Sequence, residues 1–86
     1  MQRQLNKILV TGGAGFIGAN FLHFLDQTGF KGRVVNLDLL TYAGDLNNIK
    51  GIESNINYRF VKGDIRNQEL LQALFEEEHF DTVVHF

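Results

Sequence analysis

KILVTGGAGFIGANFLHFLDQTG, Lys7 to Gly29, is the stretch that decides the fold. Ile8, Leu9 and Val10 form an unbroken apolar run, the pattern of a parallel strand buried on both faces. Phe16, Ile17, Phe21, Leu22 and Leu25 recur at helical spacing, which predicts a helix over 16–27 that stops at Gly29. Between strand and helix, four glycines fall within the eight residues 11–18, spaced Gly12-x-x-Gly15-x-x-Gly18 with Gly13 in addition. A strand that passes into a helix through such a loop makes a place for a pyrophosphate. The helix N-terminus offers unpaired N–H groups and a partial positive charge. Gly12 permits the tight turn, Gly15 lets the backbone approach the phosphates, and Gly18 lets the helix pack closely on the sheet. No Gly-Lys-Ser/Thr follows, so the loop is not of the nucleoside-triphosphate kind.

The rest of the chain repeats the alternation. Arg33 to Leu39 reads as a second strand, and Asp38 falls near its end, 20 residues after Gly18. A carboxylate there can accept hydrogen bonds from both hydroxyls of an adenosine ribose and would repel a 2′-phosphate. Leu39 and Leu40 follow it rather than a basic residue, which favours NAD over NADP. A polar connection comes next, with one short helix expected near Asp45 to Lys50. Asn57 to Lys62 reads as a third strand. Asn67 is a good N-cap for QELLQALFEEEH, which carries Leu70, Leu71, Leu74 and Phe75 on one stripe. Thr82 to Phe86 is a fourth strand.

This order predicts an α/β Rossmann-type parallel sheet, with strands 3-2-1-4, right-handed crossovers and one helix on each face. Residues 1–86 read as the N-terminal part of a single, incomplete NAD(P)-binding domain. The last strand has no turn or polar tail after it, which suggests a piece of a longer protein. Strand 4 is an open apolar edge, through which such a piece is expected to self-associate.

Composition narrows the class. The 86 residues are 44% hydrophobic and contain no cysteine or proline. Disulfides and thiolate metal sites are therefore excluded, and the cytoplasm is the expected compartment. A net charge of −2 gives no basic patch for nucleic acid or an anionic membrane. The apolar run behind the polar start is too short for a signal peptide or a membrane span.

VTGGAGFIG resembles the cofactor loop of the extended short-chain dehydrogenase/reductase family. LDLLTYAGDLNNI (Leu37 to Ile49), YRFVKGDIRN (Tyr58 to Asn67) and FDTVVHF (Phe80 to Phe86) are similar to the start of its dTDP-glucose 4,6-dehydratase branch. That resemblance implies a lyase that turns dTDP-glucose into a 4-keto-6-deoxy sugar nucleotide and water through transient hydride transfer to NAD, working as a homodimer. It implies that Phe16 and Ile17 give backbone N–H groups to the pyrophosphate, and that Thr41 and Gly44 lie along the adenosine end. It implies further that Asp64 meets the adenine through its side chain and Ile65 through its backbone. The family often has lysine after the ribose aspartate where this chain has Leu39. The catalytic Tyr-x-x-x-Lys of the family falls beyond residue 86, so this chain holds no catalytic residue of its own. A related nucleotide-sugar epimerase and a non-catalytic assembly module are the alternatives.

One Tyr-x-x-x-Lys does occur, Tyr58 to Lys62. The chemistry needs the ammonium beside the phenol. In a strand the two residues stand about 13 Å apart, and the alternation here is a strand's, so the match is accidental. His23, His79 and His85 have no metal-ligand spacing, and His85 reads as a satisfied core or rim histidine. Glu76, Glu77 and Glu78 read as a solvated surface patch, mildly costly at a helix C-terminus. Asp64 could be only a turn residue, and Tyr42 could pack the adenosine side or anchor its loop.

Overall fold

A computed structural model describes residues 6–40 and 46–86. The elements are β1 (Lys7–Thr11), α1 (Phe16–Gln27), β2 (Arg33–Asp38), two 3-10 turns (Leu46–Ile49 and Ile52–Ser54), β3 (Tyr58–Lys62), α2 (Gln68–Glu78) and β4 (Thr82–His85). The strands are all parallel, in the order β3-β2-β1-β4. Leu9 lies between Val35 and Val83 in the ladder, Val10 between Asn36 and Val84.

Side chains that alternate across the pleat sort into two cores. Ile8, Val10 and Val34 face α1 and pack with Ala19, Leu22, Ile49 and Ile52. Leu9, Val35 and Leu37 face α2 and pack with Leu74, flanked by Leu70, Leu71 and Phe80. The two helices therefore cover opposite faces, and the strand order reverses at β1. Ile8, Leu9, Val10, Val35 and Leu37 are at most 1% exposed, which is why these strands read as unbroken apolar runs. Each such burial contributes about 1.5–3 kcal/mol, so the central strands carry much of the hydrophobic stabilisation.

Helix ends follow local chemistry. Past Thr28, Gly29 takes a left-handed φ of +76°. Its N–H reaches Asp26 O at 3.2 Å, and Phe30 N–H reaches Leu25 O at 3.1 Å, a paired closure of the last carbonyls. At the start of α2, Asn67 Oδ1 accepts the Leu70 N–H at 3.1 Å.

Several expectations are corrected. Phe16 and Ile17 are 77% and 70% exposed. They sit in the first turn of α1, and its buried face is Gly18, Ala19 and Leu22. β2 ends at Asp38, one residue early, because Leu40 turns the chain with φ +59° and gives its N–H to Asp38 Oδ1 at 2.8 Å. The single short helix expected near Asp45 to Lys50 is a pair of 3-10 turns, and Asp45 lies outside the described residues. His85, read as a satisfied core or rim histidine, is the rim one: it is exposed, and its Nδ1 shares a hydrogen bond with Thr11 Oγ1.

Of the three glutamates at the end of α2, Glu76 and Glu77 are exposed as expected, but Glu78 is not part of a solvated patch. Glu78 is 7% exposed. Its carboxylate takes Nε and Nη2 of Arg33 at 3.1 Å each and Nη1 of Arg59 at 2.9 Å, and Arg59 also holds Glu77 at 3.0 Å. Arg33 shares the α2 face of β2 with Val35 and Leu37, and Arg59 of β3 is the register partner of Val35, so both lie on the side where the helix finishes. Two sheet cations thus offset the cost of acids at that helix end. Between α2 and β4 an open groove of about 350 Å³ remains over Leu9, Ile65, Leu71, Phe75 and Val83.

Candidate functional site

The glycine loop is held from beneath by the end of β2. Gly12 N–H donates to Leu37 O at 3.0 Å, Gly13 N–H to Asn36 Oδ1 at 3.0 Å, and Ala14 N–H to Asp38 Oδ2 at 2.9 Å. Gly15 N–H closes back on Gly12 O at 3.2 Å. From the other side Asn48 Nδ2 donates to Ala14 O at 2.8 Å, while the Asn48 carbonyl meets His23 Nε2 at 2.8 Å. Ala19 is the first residue of α1 whose N–H finds a carbonyl, Gly15 O at 2.8 Å. Among the described residues, the donors left over are therefore the N–H groups of Phe16, Ile17 and Gly18. No side chain caps this end, so the partial positive charge of the first turn faces outward uncompensated.

The glycines have separate steric reasons. Gly12 has φ +78°, and a Cβ there would come within 2.9 Å of Phe86 O. On Gly18 a Cβ would strike Gly12 O and lie 2.8 Å from Gly13 Cα. Gly13, the additional glycine, lies against Asn36: a Cβ would strike Oδ1 and lie 2.8 Å from Leu22 Cδ1. Gly15 has φ −75° and ψ 171°, extended backbone that does not itself require glycine.

Two carboxylates stand at the same sheet edge. Asp38 is 9% exposed. Among the described residues each of its oxygens accepts one backbone N–H, from Ala14 and Leu40, which leaves each a further acceptor direction. Its own carbonyl accepts the Gly63 N–H at 3.2 Å, which ties the turn after β3 to the end of β2. Asp64 follows directly, half-buried. Arg66 clasps it with a backbone N–H at 2.8 Å and guanidinium contacts from 2.7 to 3.1 Å. Those side-chain hydrogen bonds first, and the backbone bond second, push the Asp64 carboxyl down to about 2. Ile65 is 41% exposed beside it. Thr41, Tyr42 and Gly44 lie outside the described residues.

Two residues with a part in this edge, Asn36 and Arg66, carry no motif of their own, and Tyr58 stands out in the sequence only through its accidental spacing to Lys62. Asn36 has one readable signal, a polar residue inside the apolar VVNLD. Tyr58 and Lys62 lie in β3 as a strand, so the Tyr-x-x-x-Lys spacing does not make a base pair here. Among the described residues no three metal-ligating side chains converge, and no helix is long and apolar enough to cross a membrane.

A parallel sheet whose first crossover runs through a glycine loop into an uncapped helix, with a carboxylate closing β2, defines a Rossmann-type dinucleotide half-site. The family model described as GDP-mannose 4,6 dehydratase matches residues 9–86, and the chain belongs to that family. It is 51% identical over 78 residues to a dTDP-glucose 4,6-dehydratase of Xanthomonas campestris pv. campestris, covering 91% of this chain and 22% of that protein. A crystal structure of dTDP-glucose 4,6-dehydratase from Bacillus anthracis in complex with NAD superposes with a TM-score of 0.89 at 49% identity, over 94% of this chain and 26% of that one. A UDP-glucose 4-epimerase from Thermotoga maritima superposes with a TM-score of 0.76 at 32% identity, over 93% of this chain and 23% of that one. The chain thus spans about a quarter of the length of these relatives.

Proposed function

We propose that this chain is the adenosine and pyrophosphate half of the NAD site in a dTDP-glucose 4,6-dehydratase. One observation carries the cofactor reading. The loop's own N–H groups are all taken by protein, while among the described residues the first-turn donors of α1 are free, at the mouth of a loop packed too tightly for a Cβ at Gly12 or Gly18. A pyrophosphate fits that donor set. Phe16 and Ile17 would hold it, with Gly12, Gly15 and Gly18 making room. The free acceptor directions of Asp38 suit the adenosine ribose, and its charge disfavours a 2′-phosphate. Thr41 and Gly44 would lie along the adenosine end. Asp64 and Ile65 would meet the adenine, with Asp64 kept ionised by Arg66. When bound, NAD accepts a hydride from the sugar and returns it within the same turnover.

The substrate reading rests on the likeness to the Xanthomonas and Bacillus enzymes. The reaction would be dTDP-glucose to dTDP-4-keto-6-deoxyglucose and water. Residues 1–86 are read as the N-terminal part of one Rossmann-like domain. The sugar-nucleotide domain and the catalytic segment would lie elsewhere in a longer, homodimeric, cytoplasmic enzyme. The described residues bind and orient the dinucleotide and supply no base for the chemistry, so residues 1–86 alone should turn over nothing and bind NAD weakly. Incubating the intact protein with dTDP-glucose and, separately, with UDP-glucose tests the assignment. A 4-keto-6-deoxy product is expected from dTDP-glucose. A galactose product from UDP-glucose would make the protein an epimerase instead.

A further inference from the structure

We propose that Asn36, set by Tyr58, is a positioning residue of the glycine loop, holding Gly13 so that a dinucleotide's phosphates meet only the first-turn donors of α1. The proposal rests on the dinucleotide reading above. Asn36 is 0% exposed in the middle of β2, among Val34, Val35 and Leu37. A buried amide in such a strand is retained where its donors and acceptor are used. The Gly13 N–H can only donate, so the atom facing it at 3.0 Å is Oδ1. Nδ2 then faces the Tyr58 hydroxyl at 3.1 Å, and the hydroxyl accepts. One relay runs from β3 through β2 into the loop. Shape enforces it as well, since Gly13 has no room for a Cβ against Oδ1 and Leu22.

The second glycine of TGG therefore answers to Asn36 and not to the ligand. With the Gly13 amide committed to the sheet, and the Ala14 amide committed to Asp38, the loop cannot rotate its own donors outward. Tyr58, whose spacing to Lys62 imitates a catalytic pair, acts through its hydroxyl on the far side of Asn36.

The test is calorimetric, on the intact protein, with two ligands: NAD, and adenosine, which carries no phosphate. Asn36→Leu leaves the Gly13 N–H without its acceptor and should weaken NAD by about tenfold. Adenosine should change by less than about twofold. Tyr58→Phe frees the amide to swing and should weaken NAD by about threefold, again sparing adenosine. It removes one hydroxyl from a half-buried site, so it decides the matter if Asn36→Leu fails to fold. Unchanged NAD affinity, or equal losses for both ligands, overturns the proposal. In the parent protein, hydrogen exchange should show Gly13 protected with or without NAD, and Phe16 and Ile17 protected only with NAD. A Gly13 amide that gains protection on binding also overturns it. A parent protein that binds no NAD sinks the dinucleotide reading itself, an outcome distinct from parent binding that the two variants leave intact.

Discussion

Gly18 shows how much one missing methyl decides. With Gly12 O and Gly13 Cα already against its backbone, Gly18→Ala should cost about 1–3 kcal/mol, read as a lower urea midpoint of the intact protein. Position and reason are both readable for Gly12 and Gly18, because the spacing itself encodes the turn and the close packing, and the place of Asp38 at the strand end is readable as well. Asn36 and Arg66 were not readable in this way. A lone amide in a strand and an arginine in a polar turn acquire their parts only when folding supplies partners: Gly13 and Tyr58 for the one, the Asp64 carboxylate for the other. Arg66 gives a second test at this scale. Asp64 is held at about 2, so Arg66→Ala should raise its pKa toward the free value of roughly 3.9. A carbon-detected NMR titration should then find Asp64 largely ionised at about pH 3 in the parent and largely protonated in the variant.

α2 was readable in its cap and its buried leucine, but not in its glutamates. Asn67 caps it as expected and Leu74 is buried. Local charge rules treat three acids at a C-terminus as exposed and unfavourable, and nothing local shows that Arg33 and Arg59 arrive from β2 and β3. Glu78→Ala should cost about 2 kcal/mol, less than a fully buried pair, since both arginines are partly exposed. The pH dependence follows from the sign of the shift. The Arg33 hydrogen bonds, with those from Arg59, hold the folded Glu78 carboxyl below its ordinary value. Its contribution is therefore complete above the unfolded pKa of roughly 4.3 and is lost as pH falls through the lower folded value. Urea unfolding at neutral and acid pH should show that loss in the parent and a flatter profile in Glu78→Gln. Phe16 and Ile17 teach the complementary lesson: helical spacing assigns a face, but not whether the sheet extends beneath the first turn.

Among the described residues the molecule as a whole is a sheet with a helix on each face and with β3 and β4 as its two edge strands. Its order, 3-2-1-4, follows from the alternation of elements and the handedness of crossovers, which is why the topology was readable throughout. The groove beside α2 and the exposed Val83 leave apolar surface along β4. Light scattering on residues 1–86 should therefore show association that grows with concentration, and Val83→Lys should suppress it; a clean monomer at high concentration counts against edge pairing. The central claim, that loop, helix and Asp38 together form an NAD half-site, is tested most directly by titrating the intact protein with NAD and NADP in parallel. NAD should bind saturably, and NADP at least about tenfold more weakly because its 2′-phosphate meets Asp38. Equal affinity for the two, or no binding of NAD, would contradict it.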